Sequence, residues 1–289
     1  MATALSTSSA PGAEVARLQE IAGRLRLDII EMLHQAGSGH PGGSLSAIDI
    51  VTCLFFSRMR HDPRRPTWPE RDRFVLSKGH AVPALYAAMA QAGYFPREEL
   101  KTLRRLGSRL QGHPVASALP GIEACTGSLG QGLSVAQGMA LASKLDGGKF
   151  HVYCMVGDGE CQEGQIWEAA MSAPKFQLDN LTLFLDYNKG QIDGPVPQVM
   201  DLEPLADKWR AFRWNVIEAP GHDFQALLAA HDEARATRGR PTVIIAHTVK
   251  GKGVSFMEHQ IAWHGMAPNK EQTQKALAEL TRGANGKGA

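Results

Sequence analysis

The chain has 289 residues, 43% hydrophobic and 21% charged, which is ordinary globular usage and excludes disorder, a collagen-like chain and a bare coiled coil. Thirty-one basic against 29 acidic side chains leave a net charge of +2. That is too small for a dedicated nucleic-acid binder or a polybasic membrane anchor, and no apolar run approaches the ~20 residues of a membrane span. Met1 to Ala13 is rich in Ser, Thr and Ala with no basic residue, so no signal peptide is expected. The cysteines Cys53, Cys125, Cys154 and Cys161 form no CxxC pair and no zinc spacing, which reads as reduced thiols in a cytoplasmic protein. Glycine is the one skew, 30 residues where about 7% is usual.

Residues 1–12 read as a flexible leader and 283–289 as a flexible tail, with a single domain over 13–282. A helix is expected from about Glu14 to Gln35, its stripe formed by Leu18, Ile21, Leu25, Ile29 and Leu33, and Gly37 and Gly39 end it. A second begins near Ser44 and places Leu45, Ile48, Thr52 and Phe55 on one face. Arg73–Ser77 reads as a strand, followed by helices at about Ala81–Ala92 and Gln131–Leu145. The strongest β signal is the apolar run Phe150–Val156, which stops at Gly157-Asp158-Gly159. A helix at about Glu163–Ala173, a strand at Leu181–Tyr187, a strand at Trp214–Glu218, a helix at about Phe224–Arg235 and a strand at Thr242–Ala246 complete the series. Strands apolar on both faces and alternating with helices predict an α/β fold, a parallel sheet covered by helices on both faces. Ligands of such sheets sit at the carboxyl ends of the strands.

Two oxygen-bearing side chains, Asp158 and Asn188, leave the ends of successive strands, and glycines flank the first. Carboxylate and amide oxygens are hard ligands suited to magnesium or calcium rather than zinc, and the glycines let a phosphate approach the backbone. This spacing points to a metal-bridged diphosphate. The alternative, a tight turn with Asp158 as a helix cap and Asn188 in a turn, stays open on spacing alone.

Five stretches occur in order: Ser38-Gly39-His40-Pro41-Gly42-Gly43, Asp72 to Ala81, Thr126-Gly127-Ser128-Leu129-Gly130-Gln131-Gly132, Gly157-Asp158-Gly159-Glu160-Cys161-Gln162-Glu163-Gly164 and Lys250-Gly251-Lys252-Gly253. Together, over about residues 14–270, they resemble the N-terminal, thiamine diphosphate-binding half of transketolase. The resemblance implies a thiamin diphosphate-binding fold, thiamine diphosphate as cofactor, and Mg²⁺ with Ca²⁺ or Mn²⁺ able to substitute. It assigns the metal to Asp158, Asn188 and the backbone carbonyl of Gly190, where many members carry an apolar residue. It assigns the diphosphate to His80 and His264, and the reacting centre and sugar hydroxyls to His40 and His113, the four making up the catalytic set. Gly127, Ser128 and Leu129 would cover the cofactor, Gly157, Gly159 and Glu160 would form the diphosphate loop, and Ile192 would pack on the thiazolium side. Glu163 and Glu168 resemble acidic residues that link paired sites across a dimer.

Neutral imidazoles can donate to phosphate or take a hydroxyl proton near pH 7, and the cofactor supplies the electron sink for breaking a C–C bond. His34, His61, His151, His222 and His231 lack such context and read as surface or satisfied core residues. His247, His259, Lys250 and Lys252 stay open between a place near the cofactor and a solvated turn.

Full-length transketolases carry the group that activates the cofactor in a later domain, and no segment here resembles it. The resemblance therefore implies one subunit of a split enzyme, in a two-plus-two assembly with a chain carrying the pyrimidine-binding domain. Its expected reaction is transfer of a two-carbon ketol unit from a ketose phosphate to an aldose phosphate, in pentose phosphate metabolism. Two rivals remain: a thiamine enzyme condensing pyruvate with glyceraldehyde phosphate, and a non-catalytic binding protein. Nicotinamide binding is disfavoured, since no GxGxxG follows a strand.

Overall fold

The computed structural model describes residues 11–284. Nine α-helices and seven strands occur among them, in the order α1 Pro11–Ala36, α2 Pro41–Cys53, β1 Arg73–Leu76, α3 Val82–Ala92, α4 Gln131–Leu145, β2 Val152–Gly157, α5 Gly164–Lys175, β3 Leu181–Tyr187, β4 Gly190–Gln191, β5 Gly194–Pro195, α6 Val196–Val199, α7 Leu205–Ala211, β6 Asn215–Pro220, α8 Phe224–Ala236, β7 Thr242–His247 and α9 Lys270–Ala284. Five strands form one wholly parallel sheet in the order β1-β2-β3-β7-β6, and β4 and β5 pair as a small antiparallel hairpin.

The sheet is buried on both faces, and the alternation of side chains along each strand shows how. Tyr153 and Met155 of β2 and Phe184 of β3 join one core with α1, α2, α3 and α8. Val152, Cys154 and Val156, with Leu181, Leu183 and Leu185, join a second core against α4, α5 and α7. The near-continuous apolar runs of the sequence follow from this double burial. Among the described residues no helix is long and apolar enough to cross a membrane.

Boundaries moved where proline opens a helix. The ring is tolerated in a first turn because the missing N–H has no helical acceptor there, so α1 starts at Pro11 and α2 at Pro41. Two residues of the expected leader and two of the expected tail are therefore helical, in α1 and α9. Residues 1–10 and 285–289 lie outside the described residues. Helix α9 was not expected from the sequence. Its apolar stripe is short, Ala276, Leu277 and Leu280 with Thr273, and it packs on α1.

All five strands of the main sheet end at one edge. Lys78 and His80 follow β1, Asp158 follows β2, Asn188 and Gly190 follow β3, and Lys250 follows β7. The turn after β1 holds its place by close approach: a Cβ on Gly79 would sit 2.1 Å from the carbonyl oxygen of Thr126. Neither backbone can yield without moving the strand end. Gly79→Ala is expected to destabilise the chain by about 1–3 kcal/mol, read as a lowered urea midpoint. A midpoint unchanged from the wild type would mean that the turn is not tightly packed.

Candidate active site

A cavity of about 250 Å³ opens at the carboxyl edge of the sheet, lined by His40, Lys78, His80, His113, Gly127, Leu129, Gly157, Asp158, Gly159, Glu160, Asn188, Gly190, Gln191, Ile192, Lys250 and His264. Four histidines from four separate segments meet there. The His40 ring centroid lies 5.2 Å from that of His80, 5.6 Å from His264 and 6.4 Å from His113, and His80 stacks on His264 at 5.2 Å. His40 sits at the start of the buried helix α2, where its carbonyl accepts a hydrogen bond from Ser44 Oγ at 2.6 Å.

Burial, reinforced by nearby positive charges, keeps these rings neutral. Burial first, then Arg104, His113 and Lys250, holds His40 down at about 4. Burial followed by Lys250 lowers His264 to about 3, and burial followed by Lys78 holds His80 well below its ordinary value. Lys250 Nζ donates to Gly190 O at 3.1 Å and to His264 Nδ1 at 3.0 Å. His264 thus accepts at Nδ1 and has Nε2–H left to donate to a ligand. Lys250 is itself lowered to about 8, by burial and by the neighbouring Lys78.

The carboxylates divide by their partners. Glu160 accepts from Ser77 Oγ at 2.5 Å, Gly130 N at 2.8 Å and Gly157 N at 3.0 Å, so it ties the ends of β1 and β2 to the start of α4. Asp186, at the end of β3, accepts from Lys78 Nζ, Ser46 Oγ and Thr248 Oγ1. Burial raises its pKa, but Lys78 and these donors outweigh burial and hold it below the ordinary range. Asp158 accepts only backbone N–H groups, from Gly159 and Lys189. Burial and then the charge of Asp186 push it up to about 6. A buried carboxylate with no cationic partner of its own favours a cation beside it.

A divalent cation fits this donor set. Asp158, Asn188 Oδ1 and Gly190 O are hard oxygens suited to magnesium or calcium, and the Gly190 carbonyl already faces a positive charge on Lys250. No group of three His, Cys, Asp or Glu able to hold a metal occurs among the described residues. Ligand oxygens and water would therefore complete the coordination. His40 Nδ1 is buried without a hydrogen-bond partner, an atom with bonding capacity to spare inside the site.

The family model described as "Transketolase, thiamine diphosphate binding domain" matches residues 18–285. The chain belongs to this family. It is 49% identical over 265 residues to the 6-deoxy-6-sulfo-D-fructose transketolase subunit SqwG of Clostridium sp. (strain MSTE9), covering 92% of this chain and 96% of that one. It is 43% identical over 268 residues to an apulose-4-phosphate transketolase subunit of Phocaeicola vulgatus, covering 93% and 94%. Among solved structures, the transketolase of Campylobacter jejuni superposes with a TM-score of 0.86 at 36% identity, covering 91% of this chain but 42% of that one. The chain is thus an enzyme subunit of transketolase type, similar to subunits over nearly their whole length and to full-length transketolases over less than half.

Most residues assigned by resemblance line the cavity of this transketolase domain. Ser128, Glu163 and Glu168 are exposed and stand outside it. Ile192 lines it from the β4–β5 hairpin with 65% of its surface exposed. The histidines set aside from sequence are accounted for elsewhere. His151 pairs with Thr182, His231 with Tyr153, His222 with Asp49, His61 with Tyr94 and Phe55, and His34 with Pro268. Of the residues left open, Lys250 belongs to the cavity; His247 pairs with Glu218, Lys252 with Glu258, and His259 is exposed. Sequence reasoning missed Lys78, Gln191 and Asp186. The signal for Asp186 was a lone carboxylate in an otherwise apolar buried strand.

The folded value of His40, below its ordinary 6.5, means that the unfolded chain binds a proton in that window which the folded chain does not. Its contribution to stability therefore rises with pH from about 4 to 6.5 and is constant above. Replacing His40 with Asn is expected to make the rise of stability with pH shallower over that window, measured by urea unfolding. Nitrogen chemical shifts of His40 should report a neutral ring down to about pH 4. An imidazole titrating at its ordinary value would contradict this electrostatic reading.

Proposed function

We propose that the cavity holds thiamine diphosphate through a divalent cation, and that the chain transfers a two-carbon ketol unit between sugar phosphates only with a partner subunit. The observation that carries this reading is the convergence of Asp158, Asn188 Oδ1 and Gly190 O with four neutral histidines in one cavity at the carboxyl edge. Asp158, Asn188 and Gly190 hold the cation, and His80 and His264 donate to the diphosphate. Lys78 and Lys250 add positive charge below it. Gly127, Leu129 and Ile192 cover the cofactor, with Gly157 and Gly159 leaving room for its phosphates. When bound, thiamine diphosphate supplies the electron sink for C–C cleavage. His40 and His113, neutral at working pH, accept the hydroxyl proton released as the ketose bond breaks and return one to the product.

The partner supplies a pyrimidine-binding domain, in a two-plus-two assembly in the cytoplasm. Relatives that this chain covers almost completely are themselves named as subunits, which supports the split arrangement. So does the apolar side chain of Ile192 at the cavity, 65% exposed. Glu163 and Glu168, exposed beyond the cavity, would face a second copy. The names of both relatives refer to sugars with an anionic group, a sulfonate or a phosphate. A ketose with such a terminus is the donor class proposed here.

A coupled ketol-transfer assay with thiamine diphosphate and magnesium tests the reading. The chain together with its partner subunit is expected to be active, and the chain alone inactive. Robust transfer by the chain alone would overturn the two-chain account, and pyruvate turnover with carbon dioxide release would overturn the reaction. In the assembled enzyme Asp158→Ala is expected to abolish magnesium-dependent cofactor binding, followed by direct titration. Wild-type affinity in that variant would remove Asp158 from the metal site.

A further inference from the structure

Asn188 is the one assigned cation ligand whose side chain can present the wrong atom. The two ends of its amide have nearly the same shape, but only the oxygen can bind a metal; the NH₂ end is a pure donor. Which end faces the 190 loop is therefore decided by whatever holds the other end.

Behind Asn188 lies Asp186, entirely buried and outside the cavity lining. Its Oδ2 accepts from Asn188 Nδ2 at 3.3 Å and from Ser46 Oγ at 2.6 Å. Asn188 Nδ2 also donates to Ser46 Oγ at 3.2 Å. A carboxylate can only accept, so the end of the amide turned toward it is the nitrogen. A hydroxyl could act either way, but Ser46 has one proton and two acceptors, Asp186 Oδ2 at 2.6 Å and Gly43 O at 3.2 Å; the closer carboxylate takes it, which leaves Ser46 Oγ as a second acceptor for the same NH₂. Asp186 therefore sets the polarity of both contacts. It is fixed by two further donors, Lys78 Nζ on the same oxygen and Thr248 Oγ1 on the other. At the far end of the amide, Oδ1 accepts from Gly190 N at 3.1 Å, so the same orientation also shapes the turn that carries the Gly190 carbonyl.

Resting on the function proposed above, we propose that Asp186 is a positioning residue for the cation site, dictating through Ser46 and Asn188 that an amide oxygen rather than an amide nitrogen faces the metal. It touches neither cation nor cofactor. In Asp186→Asn the shape is kept, but the new amide can donate as well as accept, so Asn188 is free to turn over.

The test measures the Mg²⁺ concentration needed for half-maximal thiamine diphosphate binding, followed by tryptophan fluorescence in the complex with the partner subunit. Asp186→Asn is expected to raise it by roughly 10- to 100-fold, the usual effect of losing a residue that orients a metal ligand, with cofactor binding recovering at high magnesium. Ser46→Ala, which keeps the Lys78–Asp186 ion pair, is expected to shift it several-fold in the same direction and carries the test if Asp186→Asn does not fold. Thr248→Val removes a donor from the opposite oxygen. It is expected to lower the melting temperature while leaving the magnesium requirement within about twofold of wild type. A wild-type requirement in both Asp186→Asn and Ser46→Ala, or in Ser46→Ala where Asp186→Asn does not fold, would overturn the inference. So would an equal shift in Thr248→Val, which would mark a general loss of structure. A wild-type complex that binds cofactor without magnesium would instead overturn the underlying functional reading, and the inference with it.

Discussion

The arrangement turns on how five charged groups are kept out of water at one edge of the sheet. Lys78, Lys250, Asp158, Glu160 and Asp186 are all at most 3% exposed, and an isolated charge in such a place is very costly. Three of the five are satisfied within the chain. Lys78 and Asp186 pair, and Glu160 gathers a hydroxyl and two backbone N–H groups. Asp158 has only backbone donors, and Lys250 has only a carbonyl and a neutral ring nitrogen. Without an oppositely charged partner these two are displaced toward their neutral forms, Asp158 up to about 6 and Lys250 down to about 8, while burial also raises Glu160 against the pull of its three donors. Groups held in that condition within a cavity mark the part of the site left for a ligand to complete.

The satisfied charges also build the frame. Glu160 joins two strand ends to the N-terminus of α4, where Gly130 and Gly132 give their N–H groups to Glu160 and Ser77. A side chain on Gly132 would collide with Ser77, its Cβ only 2.5 Å from that of the serine. Asp186 joins the end of β3 to α2 through Ser46 and to the segment after β7 through Thr248. The polar groups behind the cavity thus hold together segments that are remote in sequence. Local structure and ligand geometry share the same bonds, so the site cannot loosen without loosening the sheet edge.

Much of this was legible in the sequence because parallel strands, buried on both faces, leave long apolar runs whose ends are easy to see. Leu181–Tyr187 and Gln131–Leu145 fall where the pattern put them, and Asp158 and Asn188 stand at strand ends as their spacing implied. The four histidines were set apart by the family resemblance and not by any local pattern, and His247 and His259 stayed open beside them. Lys78 and Asp186 were not legible as a pair, since 108 residues separate them and only the β1-β2-β3 order of the sheet makes them neighbours. Nor could spacing place Ser128, Glu163 and Glu168, whose side chains point outward from segments that otherwise border the cavity. Helix α9 escaped because a polar sequence with three apolar positions needs only α1 beneath it to be stable.

The division between neutral rings and charged lysines accounts for the chemistry that the cavity can accept. Protonated imidazoles at His80, His264 and His113, with ring centroids 5.2–6.4 Å from that of a protonated His40, would repel strongly in so dry a space, and a neutral set does not. Burial above all enforces that neutrality, helped by Lys250 and Lys78 at three of the rings and by Arg104 at His40 and His113, and a neutral ring can either donate or accept a proton. Lys78 and Lys250 line the same cavity as the rings. On the proposed function the diphosphate would meet the lysines and the sugar hydroxyls the histidines. On the function proposed here, Asp158 and the amide oxygen of Asn188 would supply the hard oxygens by which a divalent cation joins the diphosphate to the sheet.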